Sequence, residues 1–227
     1  MTKKTQNDEL VFLPLGGSNE VGMNLNAYGF GPAHDRKWII VDVGVTFGDQ
    51  STPGVDVIVP DPTFLEGENI LGIVLTHAHE DHIGALGWLW PRIQAPLYAT
   101  PFTAFLIREK LRDAGIYEDV ELHEAPLGST VNLGPFEVTY VTITHSIAEP
   151  NGLAIKTPLG TVLHTGDWKI DNDPVVGERT DVDFIQKLGD EGVLAMVCDS
   201  TNVFVDGVAG SEGEVKVKLA ELIQGLK

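Results

Sequence analysis

The chain has 227 residues, 43% of them hydrophobic, and carries 33 acidic against 15 basic side chains, a formal net charge of −18. This length is sufficient for one large or two small domains with a buried core. The acidic balance argues against a broad nucleic-acid surface, because phosphate binding depends largely on lysine and arginine. One cysteine, Cys198, excludes an internal disulfide and a cysteine-rich zinc site, and fits a reducing cytosol.

The first ten residues, MTKKTQNDEL, are mostly polar. They lack the apolar stretch of a signal peptide, and no window of the sequence approaches the roughly 20 apolar residues of a membrane span. We therefore expect a cytoplasmic protein without a membrane partner.

Apolar and β-branched runs predict nine strands along the chain. They are residues 10–15, 24–30, 37–43, 70–76, 95–99, 136–143, 152–157, 161–165 and 193–199. Helical spacing occurs at 84–93, where Trp88 and Trp90 are expected in the core, and at 101–115 and 181–189. The first strands follow one another along the chain, and the later strands alternate with helices. This order predicts an α/β sandwich in which helices cover the sheets.

The last segment, residues 211–227, predicts an amphipathic helix. Ser211 is a suitable N-cap, and Glu214 three residues later completes a capping box. One face of this helix carries the apolar residues Val215, Leu219, Leu222 and Ile223. Two interpretations are open: a docked terminal helix, or the first helix of a further domain.

The residues best suited to bind a metal ion lie in THAHEDHIG, residues 76–84, directly after an apolar strand. In an extended segment residues two apart face the same side, so His77 and His79 can reach one metal ion. Asp81 and His82 follow where the chain turns into a helix and can reach a second ion. Imidazole and carboxylate ligands without thiolate suit Zn, Mn or Fe(II). The alternative is a solvated histidine-rich loop, which three histidines within six residues make improbable.

The pattern H-x-H-x-D-H after a buried strand resembles the signature of the metallo-β-lactamase superfamily. His145 in THSI and Asp167 in TGD match two further motifs of that superfamily. The resemblance implies the first part of an αββα sandwich and a site for two Zn ions, with Mn or Mg as alternatives. It also implies the ligands of each ion: His77, His79 and His145 for the first, Asp81 and His82 for the second, and Asp167 for both.

Flanking segments are similar to those of the ribonuclease J family, bacterial ribonucleases with a β-CASP domain. They are residues 13–24, 41–49, 54–61, 75–86, 144–152, 164–171 and 198–202. The resemblance implies a cytoplasmic enzyme of RNA processing and decay, which cuts RNA internally and degrades it 5′ to 3′ from a 5′-monophosphate end. The reaction it implies is attack by a hydroxide held between two metal ions. It further implies a homodimer or homotetramer for the full-length protein.

The same resemblance predicts two parts of the chain. Residues 1–210 are the N-terminal part of a metallo-β-lactamase domain, and residues 211–227 are the first helix of a truncated β-CASP domain. Family members continue beyond this point. The chain is therefore expected to lack a histidine of the second metal shell and to be poorly active alone. Asp81 and Asp167 are the expected catalytic residues.

Three further features of the sequence carry weaker signals. Asp56, in the acidic segment 44–56, is a candidate ligand for the structural calcium that the family resemblance implies there, with a plain acidic loop as the alternative. The segment GGSNEVG, residues 16–22, predicts a tight turn near the metal pocket rather than a phosphate-binding loop. His164 either supports Asp167 or packs as an ordinary strand histidine.

Two other classes of function remain open. One is a stand-alone hydrolase of small esters, thioesters or lactams, which a further metal ligand in the chain would favour. The other is a metal-binding scaffold in an RNA-processing complex, which the intact set of metal motifs argues against. Two divalent ions would add about +4, leaving roughly −14 from the formal −18. Most of the electrostatic contact with RNA is therefore expected from segments outside this sequence.

Overall fold

The computed structural model describes residues 8–226. Residues 1–7 of the polar N-terminal segment and Lys227 of the predicted last helix lie outside this range. The strands are β1 (Glu9–Gly16), β2 (Leu25–Gly31), β3 (Lys37–Val41), β4 (Thr46–Phe47), β5 (Val57–Ile58), β6 (Asn69–Val74), β7 (Leu97–Ala99), β8 (Leu122–Glu124), β9 (Thr130–Leu133), β10 (Phe136–Thr142), β11 (Asn151–Thr157), β12 (Gly160–His164) and β13 (Ala195–Val197). The helices are α1 (Glu80–Ile83), α2 (Leu86–Ile93), α3 (Pro101–Asp113), α4 (Val182–Glu191) and α5 (Glu212–Gly225).

Two sheets form the centre of the molecule. The first has the strand order β1-β2-β3-β6-β7-β8 and the second the order β13-β12-β11-β10-β9, while β4 and β5 form a separate short pair. In the first sheet β3, β6, β7 and β8 run parallel. In the second sheet β10 and β12 are both antiparallel to β11 and so point the same way. The carboxyl ends of β10 and β12 therefore meet at one edge.

The side chains of each strand alternate between two cores, because successive residues of a strand face opposite sides. In β3, Trp38 and Ile40 pack with α2 and α3 on the outer face, whereas Ile39 and Val41 pack between the two sheets. A third core joins the second sheet to α4 through Leu163 and Leu188, among others. The layers are thus helix, sheet, sheet, helix, and the predicted α/β sandwich is confirmed.

The nine predicted strands are all present. Those at 37–43 and 70–76 end two residues earlier than predicted, the one at 95–99 begins two residues later, and the one at 193–199 is two residues shorter at each end. Sequence analysis did not predict β4, β5, β8 and β9, which have two to four residues each. The predicted helix at 84–93 is α2, which begins at Leu86. A separate short helix, α1, precedes it and begins at Glu80 inside the histidine motif. Among the described residues, no helix combines the length and apolarity that a membrane crossing requires.

The expectation that Trp88 and Trp90 both lie in the core is wrong for Trp88. Trp88 is 58% exposed, whereas Trp90 is buried. Residues two apart lie on nearly opposite sides of a helix, so the two rings could not both face the core. The Ser211 hydroxyl caps α5 as predicted, by accepting a hydrogen bond from the Glu214 N–H at 3.1 Å. The apolar face of α5 is nevertheless exposed, so the helix is not docked through that face.

Candidate metal centre

The candidate site lies where strands of both sheets end. His77 follows β6 in the first sheet, while His145 and Asp167 follow β10 and β12 in the second. The Asn151 N–H donates to the Thr76 carbonyl at 3.2 Å, which joins the two sheets beside the site. The fold therefore brings together three motifs that are up to 90 residues apart in the sequence.

Main-chain contacts fix the short helix α1 against the loop after β3. The Val43 N–H donates to the His82 carbonyl at 2.7 Å, and the Val45 N–H donates to the Glu80 carbonyl at 3.1 Å. Between them Gly44 lies so close that a Cβ there would overlap the Asp81 carbonyl. Any larger residue at position 44 would therefore displace the helix that carries two of the predicted ligands.

Three imidazole nitrogens converge in a first donor group. His77 Nε2 and His79 Nδ1 are 3.0 Å apart, and His79 Nδ1 and His145 Nε2 are 3.1 Å apart. Ligand atoms about 2.0–2.1 Å from a tetrahedral zinc ion would be about 3.3 Å from one another. The three histidines thus fit a divalent ion in both donor type and spacing.

A second donor group lies beside the first. His82 Nε2 is 3.3 Å from Asp167 Oδ1 and 3.6 Å from Asp81 Oδ2. His77, His82 and Asp167 also offer ligand atoms within 4.8 Å of one another. The other oxygen of Asp167, Oδ2, is 3.9 Å from His145 Nε2. The Asp167 carboxylate therefore faces both donor groups, one oxygen to each.

Asp42, at the end of β3, is a buried partner of the site to which sequence analysis assigned no role. Its Oδ2 is 2.8 Å from His82 Nδ1, and its Oδ1 accepts the Thr76 N–H at 2.8 Å. This carboxylate fixes the ring orientation of His82 and leaves Nε2 facing the second donor group. The signal available in the sequence was an aspartate directly after an apolar strand, in the segment VDVG.

Burial and charge adjust the protonation of these groups. Burial, with the neighbouring His82, holds the pKa of His77 well below its usual value, so its imidazole is neutral and able to bind a cation. Burial also tends to lower the pKa of His82, but the Asp42 carboxylate, followed by Asp167, raises it to about 10. The same negative charges that hold this proton would hold a metal cation in its place.

The second donor group opens into a cleft of about 220 Å³. The turn at Gly17, Ser18 and Asn19 lines this cleft together with Asp167. Gly17 and Asn19 have φ values of 81° and 61°, which glycine and asparagine tolerate best. The predicted turn beside the pocket is therefore present, and it forms one wall of the site.

Two predicted residues lie apart from the donor groups. Asp56 is exposed in the loop before β5 and belongs to neither group, so its role as a calcium ligand remains a prediction. His164 is buried, and its Nδ1 is 2.8 Å from the Tyr28 hydroxyl. Its hydrogen bond thus joins the two sheets, while its side chain also lines the cleft beside Asp167, so both interpretations stay open.

The family profile of the Metallo-beta-lactamase superfamily matches residues 26–184. That range contains all six residues of the two donor groups and most of the four layers. The chain therefore belongs to the metallo-β-lactamase superfamily. A crystal structure of a protein of unknown function from Enterococcus faecalis V583 has the same fold, with a TM-score of 0.68 at 17% identity, over 94% of this chain and 57% of that one.

Within the superfamily, the chain is similar to proteins named Ribonuclease J. It is 50% identical over 220 residues to the one from Sinorhizobium meliloti, which covers 96% of this chain and 39% of the relative. It is 40% identical over 219 residues to the one from Synechocystis, covering 95% of this chain and 34% of the relative. The chain thus spans between a third and two fifths of the length of these relatives.

Proposed function

We propose that the chain is the catalytic part of a metal-dependent ribonuclease that hydrolyses RNA phosphodiesters with two divalent ions. The observation that carries the proposal is the Asp167 carboxylate, whose two oxygens face two separate donor groups. Similarity to proteins named Ribonuclease J over nearly the whole chain supports RNA as the substrate class.

His77, His79 and His145 are proposed to hold one ion, Asp81 and His82 the other, and Asp167 both. When bound, two divalent ions lower the pKa of a water and neutralise charge that develops on the phosphate. Asp42 holds His82 in the orientation that points Nε2 into the site. Asp81, whose side chain is 31% exposed, is proposed to assist proton transfer in addition to binding an ion, although a metal-bound carboxylate is a weak base.

The site has a closed and an open side. His77 and His82 are buried, whereas Asp81, Asp167 and His145 are partly exposed. A phosphodiester can therefore approach the carboxylates and His145 from solvent. Zinc is the proposed metal because the donor set is rich in imidazole, with Mn or Mg as alternatives.

The additional length of the relatives is proposed to supply a further metal ligand and the rest of a second domain. Within residues 8–226 the second donor group offers Asp81, His82 and Asp167, so we assign a further histidine to the remainder of a longer protein. We also assign α5 as the first helix of a β-CASP domain, after a metallo-β-lactamase part that covers residues 1–210. Preference for 5′-monophosphorylated RNA, combined 5′–3′ exonuclease and endonuclease activity, a dimer or tetramer, and a cytoplasmic location complete the proposal.

The decisive experiment incubates 5′-monophosphorylated and 5′-triphosphorylated RNA with the protein that contains this chain. We expect cleavage that chelator abolishes and that His77→Ala removes. The matched control is His123→Ala, because His123 lies in β8, half-exposed and stacked on Tyr98 away from the donor groups. If RNA stays intact in every lane while an ester, thioester or lactam is hydrolysed, the enzyme is a small-molecule hydrolase instead.

A further inference from the structure

The first residue of α5 contacts two loops that carry candidate metal ligands. Glu212 Oε1 accepts hydrogen bonds from Lys169 Nζ at 2.9 Å and from the Ser146 hydroxyl at 3.4 Å. Ser146 directly follows His145, and Lys169 is two residues after Asp167. One carboxylate oxygen, distant in sequence from both motifs, therefore joins the two loops.

The other oxygen of Glu212 and a second carboxylate fix the orientation of this contact. Glu212 Oε2 accepts the Val175 N–H at 2.9 Å. Asp171 Oδ2 accepts the Glu212 N–H at 2.9 Å and is 3.2 Å from Lys169 Nζ. The Lys169 ammonium therefore lies between two carboxylates, one of which, Asp171, is almost fully buried.

The main chain connects the same two loops at the same place. The Lys169 N–H donates to the Thr144 carbonyl at 3.0 Å, in an isolated bridge one residue before His145. This bridge lies outside the named strands of the two sheets. The Glu212 contacts lie directly beside it.

We propose that Glu212 is a positioning residue of the metal centre, which holds the His145 and Asp167 loops together through Ser146 and Lys169. The separation that it maintains is the 3.9 Å between His145 Nε2 and Asp167 Oδ2, where the two donor groups meet. The inference rests on the proposed function only in requiring that the site bind divalent ions. It extends the site to a helix that contributes no ligand.

The arrangement differs from an ordinary surface ion pair. The side chains of Lys169 and Glu212 are 25% and 19% exposed. Without Glu212, Lys169 keeps only its contact with Asp171, and the Ser146 hydroxyl and the Val175 N–H lose the carboxylate that they share. Loss of a partly buried contact costs more than loss of an exposed pair. We therefore expect the two loops to rearrange and the metal ligands at their ends to move with them.

The test is calorimetric titration of Mn²⁺ and Zn²⁺ into the metal-free protein, with Glu212→Gln beside wild type. Outer contacts of this kind typically alter metal affinity by about 10–100-fold, and we expect about tenfold weaker binding for Glu212→Gln. Glu214→Gln is the matched control, since it makes the same change on the same helix and its backbone N–H, not its carboxylate, makes the cap contact. Its affinity should equal that of wild type.

Two further measurements separate positioning from general stability. Lys169→Met should weaken binding by a similar factor, and the double variant with Glu212→Gln should lose no more than either alone, because both act through one contact. The absorption spectrum of bound Co²⁺ should change in Glu212→Gln and not in Glu214→Gln. Thermal unfolding of each metal-free variant checks that it is folded.

Wild-type affinity and a wild-type Co²⁺ spectrum in Glu212→Gln would overturn the inference. So would an equal loss in Glu212→Gln and Glu214→Gln. Neither result would contradict the proposed ribonuclease function. If wild type itself binds no divalent ion, the proposed function fails together with the inference, and the wild-type titration alone reveals this.

Discussion

At the scale of single residues, one buried carboxylate determines how the second donor group is presented. Asp42 is fully buried and accepts hydrogen bonds from the main chain and hydroxyl of Thr76 while it contacts His82. A buried charge is stable only where hydrogen bonds and an opposite charge compensate for lost hydration. A metal ion near His82 would complete that compensation, which links the stability of this residue to metal binding.

The variant Asp42→Asn tests this link. Asp42 has a φ of 63°, a conformation that asparagine also tolerates, so the substitution removes charge with little backbone strain. We expect metal affinity of the second donor group to fall by about 10–100-fold, measured by calorimetric titration. Asp35→Asn, on an exposed carboxylate of the β2–β3 turn, is the control. Equal affinities for Asp42→Asn and wild type would show that Asp42 only supports the fold.

At the scale of elements, helix α3 holds the loop that follows His145. Thr100 is the N-cap of α3, but its side chain makes no capping hydrogen bond. The Phe102 N–H donates instead to Glu149 Oε2 at 2.8 Å. A carboxylate from a distant loop thus satisfies a free donor at the start of the helix and interacts favourably with the helix dipole.

Glu149→Ala is expected to lower the free energy of unfolding by about 1 kcal/mol, the usual effect of losing an N-cap contact. The measurement is urea unfolding of the metal-free protein. Glu118→Ala, at an exposed glutamate in the turn after α3, should change stability much less. A Glu149→Ala variant as stable as Glu118→Ala would mean that solvent replaces the carboxylate at the helix start without cost.

The strands and the site residues also differ in how well the sequence predicts them. The longer strands were predictable because alternating apolar residues face two cores, as in β3. The short strands β8 and β9 were not, since each depends on pairing with a neighbour rather than on its own apolar pattern. His77 and His82 were found because their spacing is local. Asp42 was missed because its role arises only when β3 and β6 align.

At the scale of the whole molecule, the acidic surface limits what the chain can do with RNA. The formal net charge is −18, and no lysine or arginine is among the described residues that line the cleft. Several basic side chains are already paired with carboxylates, such as Arg108 with Glu124 and Lys110 with Glu80. In the proposed function, bound metal ions would therefore be the main positive charges available to a phosphodiester at this site.

The last prediction concerns how strongly the isolated chain binds a single-stranded phosphorothioate RNA. The binding constant is measured by fluorescence anisotropy at increasing salt concentrations. Each phosphate contact on a single strand contributes about −0.7 to the slope of log K against log salt, so one phosphate held by the two ions gives about −0.7. We expect a slope of that size in Mn²⁺ and loss of binding with chelator. His77→Ala should bind as weakly as the chelated protein, and His123→Ala as well as wild type. A slope steeper than about −3, or binding that survives chelation, would require several additional basic contacts and would place the main RNA contacts on this chain itself.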